Sequence, residues 1–561
     1  MSAPSSPHNH AMTFVLKHKR FFVHIFLVSI FVNTIAFVVP LHMLQVYDRV
    51  LTSGHVETLV VITGAVIFAL VFQAIFESIR GRLFFGLSLS FEKSIQEDVF
   101  SLSILQESQK KQNRSLNLWN LASTFKAFIT TPYMSALIDL PWVPIYLLVI
   151  YFFHPILGLT ATISTFLMIV IAFINYKVTK QQSEAFLKTN GEIRSYLDNA
   201  VINADAMVGL GMLPQVQAKW VSQVADLNEK LTDHFSIASF FSSITKWFRL
   251  FVQVLMLSVG AYLVLKEEMS SGAIIANSIM LSRALGPIEA ISSGWKTIQE
   301  AFASFRLLSS LPSMTDNKKV SKEAIYADID GELLVDNLYY HIGQPPRPII
   351  KGAKFKIARG DVLAVVGPSG GGKSTLLKLM LGILEPTGGM TKFDGSDIKA
   401  LSSNFYNEHM GYLPQQLMLF TGSVKENIAR FNEVDDGKVV EASKMAGCHD
   451  MIMQFPDGYE TLVGVNGSHL SLGQQQRIGL ARAIYQNPQY LFLDEPNSNL
   501  DGDGDKAFSD AITALAAQGK TIVIVAHRTT ILNLCNKMLL LKDGQQVMFG
   551  PKEEVLKKLN T

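Results

Sequence analysis

The sequence predicts a membrane all-α half of six helices, followed by a soluble α/β half built around a phosphate-binding loop. Three observations carry that expectation. Six apolar runs, at about 21–44, 59–76, 136–153, 156–174, 248–265 and 272–291, lie before residue 310, each close to the roughly 20 residues a helix needs to cross the hydrocarbon core. After residue 310 the chain reads as an ordinary soluble domain punctuated by Gly and Pro. Within that part, Gly367-Pro368-Ser369-Gly370-Gly371-Gly372-Lys373-Ser374 fits G-x-x-x-x-G-K-[ST] and directly follows the apolar run 362–366, as a strand-loop-helix phosphate cradle requires.

Composition agrees. At 561 residues the chain is past the size at which one hydrophobic core stops growing. Hydrophobic residues make up 48% and charged ones 17%, an apolar balance typical of a part-membrane protein. Lys plus Arg number 49 against 47 Asp plus Glu, and a net charge of +2 gives no reason to expect a nucleic acid partner. The two cysteines, Cys448 and Cys535, are too few for a disulfide framework and read as ordinary thiols of a reducing cytosol.

The first apolar run is too long for a signal-peptide core and lacks a small-residue cleavage site, so it is read as a retained helix. Lys17, Lys19 and Arg20 precede it, which places the N-terminus in the cytosol. The long connection between helices 2 and 3 carries Arg80, Arg82, Lys93, Lys110, Lys111, Arg114 and Lys126. That between helices 4 and 5 carries Lys177, Lys180, Lys188, Arg194, Lys219 and Lys230. Both are expected in the cytosol, as helices extending the spans inward. The short alternate connections, His154-Pro155 and 266–271, are expected outside. An even number of spans returns the C-terminal domain to the cytosol. The expected domains are a cytosolic tail at 1–20, a membrane domain at 21–311 and a nucleotide-binding domain at 312–561.

In the soluble half, the loop glycines let backbone N–H groups close around phosphates, Lys373 reaches the β and γ oxygens, and Ser374 offers its hydroxyl to Mg²⁺. Tyr490-Leu491-Phe492-Leu493-Asp494-Glu495 is an apolar strand ending in two carboxylates. Asp494 suits the Mg²⁺ shell, and Glu495 suits orienting or deprotonating a water. Taken alone, a strand ending in Asp-Glu before Pro496 could equally be a helix cap or solvated turn.

Between these elements, Leu470-Ser471-Leu472-Gly473-Gln474-Gln475-Gln476-Arg477 resembles the signature of ATP-binding cassette (ABC) proteins. Further marks of the family occur in order: Gln415 in Tyr412-Leu413-Pro414-Gln415 resembles the Q-loop, Ser498-Asn499-Leu500-Asp501 the D-loop, and Ala526-His527-Arg528 the switch histidine. The resemblance implies an ABC ATPase that binds ATP and Mg²⁺ through the loop 367–374 and Thr375, with Ser374, Gln415 and Asp494 around the metal. It implies that Glu495, His527 and Gln415 act in hydrolysis, with His527 gripping the γ-phosphate. Two cassettes would face each other head to tail, so that Ser471, Gly473, Gln474 and Asp501 help complete a nucleotide site shared with the partner. One cassette and six spans are half of a full exporter, and a homodimer is the simplest completion. Three features depart from the family: Leu472 stands where glycine is usual, the loop 461–467 lacks its acidic residues, and Tyr340, the nearest aromatic to stack on adenine, is a residue or two out of spacing.

Two membrane stretches narrow the resemblance. The segment 40–51, with Pro40, His42, Asp48 and Arg49, and Asp139-Leu140-Pro141-Trp142-Val143-Pro144-Ile145-Tyr146 resemble the transporters of bacterial type I secretion, in the branch that exports proteases, lipases and haem-binding proteins. That resemblance implies an unfolded polypeptide as cargo, a membrane fusion protein and an outer-membrane channel as partners, and a multi-pass place in the bacterial inner membrane. Asp139, an ionisable group within a span, could line the path or pair with a nearby base. The alternative keeps the machine and changes the cargo to a lipid or small molecule. A soluble cassette ATPase acting on nucleic acid is opposed by the six spans, and an ATP-gated channel by Glu495.

Overall fold

The computed structural model describes residues 18–109, 118–309, 329–343, 345–464, 467, 469–526 and 529–559. The 311/312 boundary, nearly all of the 1–20 tail and His527 lie outside the described residues. The chain divides into two compact units, Met314–Thr561 forming the bulk of the second.

The first unit is helical. Its elements are α1 (Lys19–Ile35), α2 (Val38–Gln45), α3 (Val56–Gln109), α4 (Leu118–Ile129), α5 (Pro132–Asp139), α6 (Val143–Phe153), α7 (Pro155–Ile202), α8 (Leu213–Leu265), α9 (Ser271–Ser293) and α10 (Trp295–Ser309). Among the described residues six stretches are long and apolar enough to cross a membrane: Lys19–Ser53, Val56–Leu105, Pro132–Phe153, Pro155–Val178, Ser239–Leu265 and Ser271–Ser293. Helices α3, α7 and α8 run 54, 48 and 53 residues without a break. At about 1.5 Å per residue each is more than twice as long as the hydrocarbon core is thick. The polar stretches 80–109, 179–202 and 213–238 therefore continue the spans as helix.

Charges within the spans are paired across helices at Arg80–Asp139 and Arg249–Glu289, as a low-dielectric interior favours. Asp139, at the end of α5, accepts from Arg80 of α3 at 3.0 and 3.1 Å and from Asn33 of α1 at 2.8 Å. The hydroxyl of Tyr146 on α6 donates to Asn33 at 3.2 Å. Of the two readings of Asp139, pairing with a base is the one observed. Asp48 sits on a π-turn, Val46–Val50, and accepts from Ser270 Oγ at 2.5 Å and the Gly272 backbone N–H at 2.7 Å, capping α9. A Cβ at Gly272 would come within 2.8 Å of Asp48 and of the Leu44 carbonyl, so the close approach needs glycine.

The second unit contains a six-stranded sheet of order β12-β11-β3-β10-β9-β6, with β3 (Val362–Val366), β6 (Met410–Leu413), β9 (Tyr490–Asp494), β10 (Thr521–Val525), β11 (Lys537–Lys542) and β12 (Gln545–Pro551). All neighbours are parallel except the edge pair β11 and β12. The inner strands are buried on both faces and so read as unbroken apolar runs. Alternate residues feed two cores. Val362, Ala364, Leu491, Leu493, Ile522 and Ile524 pack on one side, and Leu363, Val365, Tyr490, Phe492, Val523 and Val525 on the other. On the second side lies an antiparallel sheet holding β1 (Leu333–Ile342), β2 (Arg347–Ile357), β4 (Gly388–Phe393) and β5 (Ser396–Asp397).

Replacing Arg80 by methionine leaves Asp139 as an uncompensated charge. The purified chain in lipid nanodiscs is expected to lose about 3 kcal/mol of stability to thermal unfolding. Arg80→Met combined with Asp139→Leu is expected to recover most of it. A double variant as unstable as the single one would show that packing, not charge balance, is what the pair supplies.

Candidate nucleotide site

Parallel strands bring their C-terminal ends to one edge, and in open α/β sheets ligands bind there, where the strand order reverses. Strand β3 lies between β10 and β11. The loop 367–372 leaves β3, Gln415 follows β6, and Asp494 ends β9. His527, two residues beyond β10, lies outside the described residues.

The loop opens onto α11 (Lys373–Met380). Gly367 has φ +152° and a Cβ there would strike the Leu541 carbonyl. Gly372 caps α11 with φ +93°, pressed against Ile350 of β2. These two glycines let the backbone close into a ring of N–H groups over a helix N-terminus. Pro368, Ser369 and Gly370 are exposed, whereas Gly371 and Lys373 are buried. Lys373 Nζ donates to the carbonyls of Gly367 at 3.0 Å and Pro368 at 2.9 Å, so the ammonium lies in the mouth of its own loop. Burial pushes this ammonium below its ordinary pKa, opposed by the carboxylates of Glu495 and Asp494. Thr375, half-buried, continues the helix.

Ser374 Oγ donates to Asp494 Oδ1 at 3.0 Å. Asp494 is 1% exposed, and its other oxygen, Oδ2, is buried with no hydrogen-bond partner among the described residues. Burial raises this carboxyl above the usual range, Ser374 pulls it down, and Glu495 raises it again. An orphaned carboxylate oxygen beside a serine hydroxyl is a donor set that suits Mg²⁺. The Tyr412 phenol is pushed up to about 12, first by burial and then by Asp494. Gln415, three residues on, is exposed.

Glu495 adopts φ +51°, a left-handed conformation uncommon outside glycine, and its N–H donates to Val525 at the end of β10 at 3.1 Å. The chain thus turns off β9 just after the buried Asp494. The turn is held from another motif: Gln476 Nε2, on α12 (Leu472–Ile484), donates to the Pro496 carbonyl at 2.5 Å. The two-carboxylate strand end is therefore a built turn rather than a solvated one.

The signature forms the start of α12. Ser471 accepts from the Gln474 N–H at 3.2 Å, and Gln474 Oε1 accepts in return from the Ser471 N–H at 2.9 Å, a reciprocal cap. Ser471 and Leu472 are exposed, Leu472 by 64%. Gly473 packs so closely on the Asn499 carbonyl that a Cβ would lie 3.0 Å from it. Asp501 caps α13 (Gly502–Ala517) by accepting from the Gly504 N–H at 2.8 Å and pairs with Arg477 of α12. Both interactions, the backbone N–H first, hold its carboxyl below the usual range. Tyr340, half-buried in β1, pairs in register with Ile350, the residue against Gly372.

Three residues of this neighbourhood had no role from sequence: Gln476, Tyr412 and Arg430. The Arg430 guanidinium donates to four carbonyls, those of Asn407, Met410, Arg482 and Ala483, at 2.8 to 3.0 Å, and burial lowers it to about 10. It ties the start of β6 to the end of α12. Gln476 and Tyr412 carried a signal, their places within the signature and the Q-loop stretch, whereas Arg430 carried none.

The profile of the ABC transporter matches residues 350–498, and that of the ABC transporter transmembrane region matches 22–287. The type I secretion system ATP-binding protein PrsD of Rhizobium meliloti (strain 1021) is 31% identical over 95% of this chain and 92% of its own length. The leukotoxin export ATP-binding protein LtxB of Aggregatibacter actinomycetemcomitans and the toxin RTX-I translocation ATP-binding protein of Actinobacillus pleuropneumoniae are each 27% identical, over 97% of this chain and 77% of theirs. A bacterial Atm1-family ABC exporter solved with ATP bound superposes with a TM-score of 0.83 over 96% of each chain at 19% identity, a likeness of fold.

Asp494 supplies a stability test. Its pKa is raised in the folded chain, so the ionised form costs stability at pH values above that raised pKa, and the cost fades as pH falls through it and is gone below about 4. Asp494→Asn is expected to raise the nucleotide-free melting temperature at pH 7 and to lose that advantage in acid, as read by scanning calorimetry at both pH values.

Proposed function

Because the chain belongs to the ABC transporters of type I secretion, we propose that it couples ATP hydrolysis to export of an unfolded polypeptide across the bacterial inner membrane. The observation that carries this reading is that the likeness to secretion ATP-binding proteins runs through both halves of the chain, spans and ATPase together. The chain is multi-pass, and the ATPase domain and both termini face the cytosol in this reading. Two copies pair as a homodimer, and a membrane fusion protein and an outer-membrane channel carry the cargo onward.

The backbone N–H groups of the loop 367–372 and the start of α11 receive the phosphates, and Lys373 swings from the carbonyls of Gly367 and Pro368 to the β and γ oxygens. Mg²⁺ would be held by Ser374, Asp494 and Gln415, with Asp494 Oδ2 as the open ligand. When bound, it neutralises phosphate charge. Glu495 orients or deprotonates the attacking water from a turn that Gln476 steadies, and His527 grips the γ-phosphate. Tyr340 is the adenine-side aromatic. Ser471, Gly473 and Gln474 serve the partner's nucleotide, and the exposed Ser471 suits that role. Asp501 shapes the same edge through Arg477.

Two variants test this. Glu495→Gln, at matched membrane levels, is expected to keep ATP binding, to cut hydrolysis by about a hundredfold or more and to strip specific large proteins from the medium while they accumulate inside the cell. An unchanged set of secreted proteins with hydrolysis abolished would refute protein export. Gln476→Leu loosens the turn without touching substrate. Its expected effect is a roughly tenfold lower kcat at unchanged KM for ATP, measured by phosphate release.

A further inference from the structure

Helix α9 is the least apolar of the six spans and the most buried, so it belongs to the interior of the helical unit. Midway along it stands Arg283. Its side chain is exposed, and among the described residues no hydrogen bond or ion pair engages its guanidinium. Two other charges of this bundle are ion-paired among the described residues: Asp139 with Arg80, and Glu289 of α9 with Arg249 of α8 at 3.3 Å.

The helix's hydrogen-bond ladder is interrupted at the same residue. Pro287 lies inside α9 and has no N–H, so the Arg283 carbonyl lacks its ordinary i+4 donor. One turn beyond Arg283, the space beside Gly286 is open: a Cβ there would meet nothing within 4 Å. A guanidinium and a freed carbonyl at mid-span cannot both rest against hydrocarbon, where each would go unsolvated. They require water.

We propose that Arg283 and the open face of α9 at Gly286 line a water-filled path at mid-membrane and form a binding site for carboxylate side chains of a polypeptide in transit. The water-filled path stands on the geometry alone, and the peptide ligand rests on the export reading. A planar, permanently charged guanidinium with all its donors free engages a carboxylate in a two-pronged pair, and successive acidic residues of an extended chain can exchange on it.

The experiment uses the full chain in nanodiscs and a membrane-impermeant, water-soluble thiol reagent. The native Cys448 and Cys535 are buried and their thiols are pushed up to about 12, so they compete little. Gly286→Cys keeps Arg283 in place, and Phe166→Cys, at a 64% exposed apolar position of the fourth span, serves as the hydrocarbon-facing control. The Gly286→Cys thiol is expected to react at least tenfold faster than the Phe166→Cys thiol. A polyglutamate peptide is expected to slow labelling of Gly286→Cys at least threefold, polylysine to leave it unchanged, and Arg283→Gln in the same background to abolish the protection. Labelling of Gly286→Cys no faster than that of Phe166→Cys would overturn the water-filled path. Equal protection by both peptides, or protection that survives Arg283→Gln, would overturn the carboxylate site. Neither readout needs turnover, so either failure leaves the export reading, tested through Glu495, standing.

Discussion

The contact between Ser374 and Asp494 is the interaction on which the soluble half depends. It ties the phosphate loop to the end of β9 across a sheet in which β10 lies between the two strands. Asp494 is held there almost without exposure, at a desolvation cost that one serine hydroxyl only partly offsets. Its second oxygen has no hydrogen-bond partner among the described residues. A carboxylate kept buried and half-satisfied is a costly arrangement, and its open oxygen has the chemistry that suits a cation. Strand order does the rest: the parallel ladder sets Gly367, Gln415 and Asp494 at the ends of β3, β6 and β9.

The signature is locked to the same edge from behind. Gln476 holds the turn after Glu495, Arg477 holds Asp501, and Gly473 rests on Asn499. Ser471 and Leu472 are meanwhile turned outward. One helix thus braces the turn after Glu495 with its side while its N-terminus stays exposed.

The membrane half follows the same rule under a harsher solvent. Asp139 is neutralised by Arg80 and Asn33, Asp48 is spent on capping α9, and Glu289 meets Arg249. Against that pattern the open guanidinium of Arg283 stands out because hydrocarbon tolerates no unsolvated charge. The continuous helices α3, α7 and α8 are each far longer than a bilayer requires.

The sequence by itself determined the six spans, because twenty apolar residues in a row have no other favourable solvent. It also determined the phosphate loop, the two-carboxylate strand end and the ordered cassette motifs, because their chemistry needs particular residues at short spacings. Only the tertiary structure decided between the two roles open to Asp139, since Arg80 lies 59 residues away on another helix. It alone revealed Gln476 under Glu495, Tyr412 beside Asp494, and Arg430 gathering carbonyls from two segments, in a left-handed backbone that nothing about arginine foretells. The reason is common to all of these: burial and desolvation depend on which distant segments pack together, and a linear pattern records only what neighbours in the chain require.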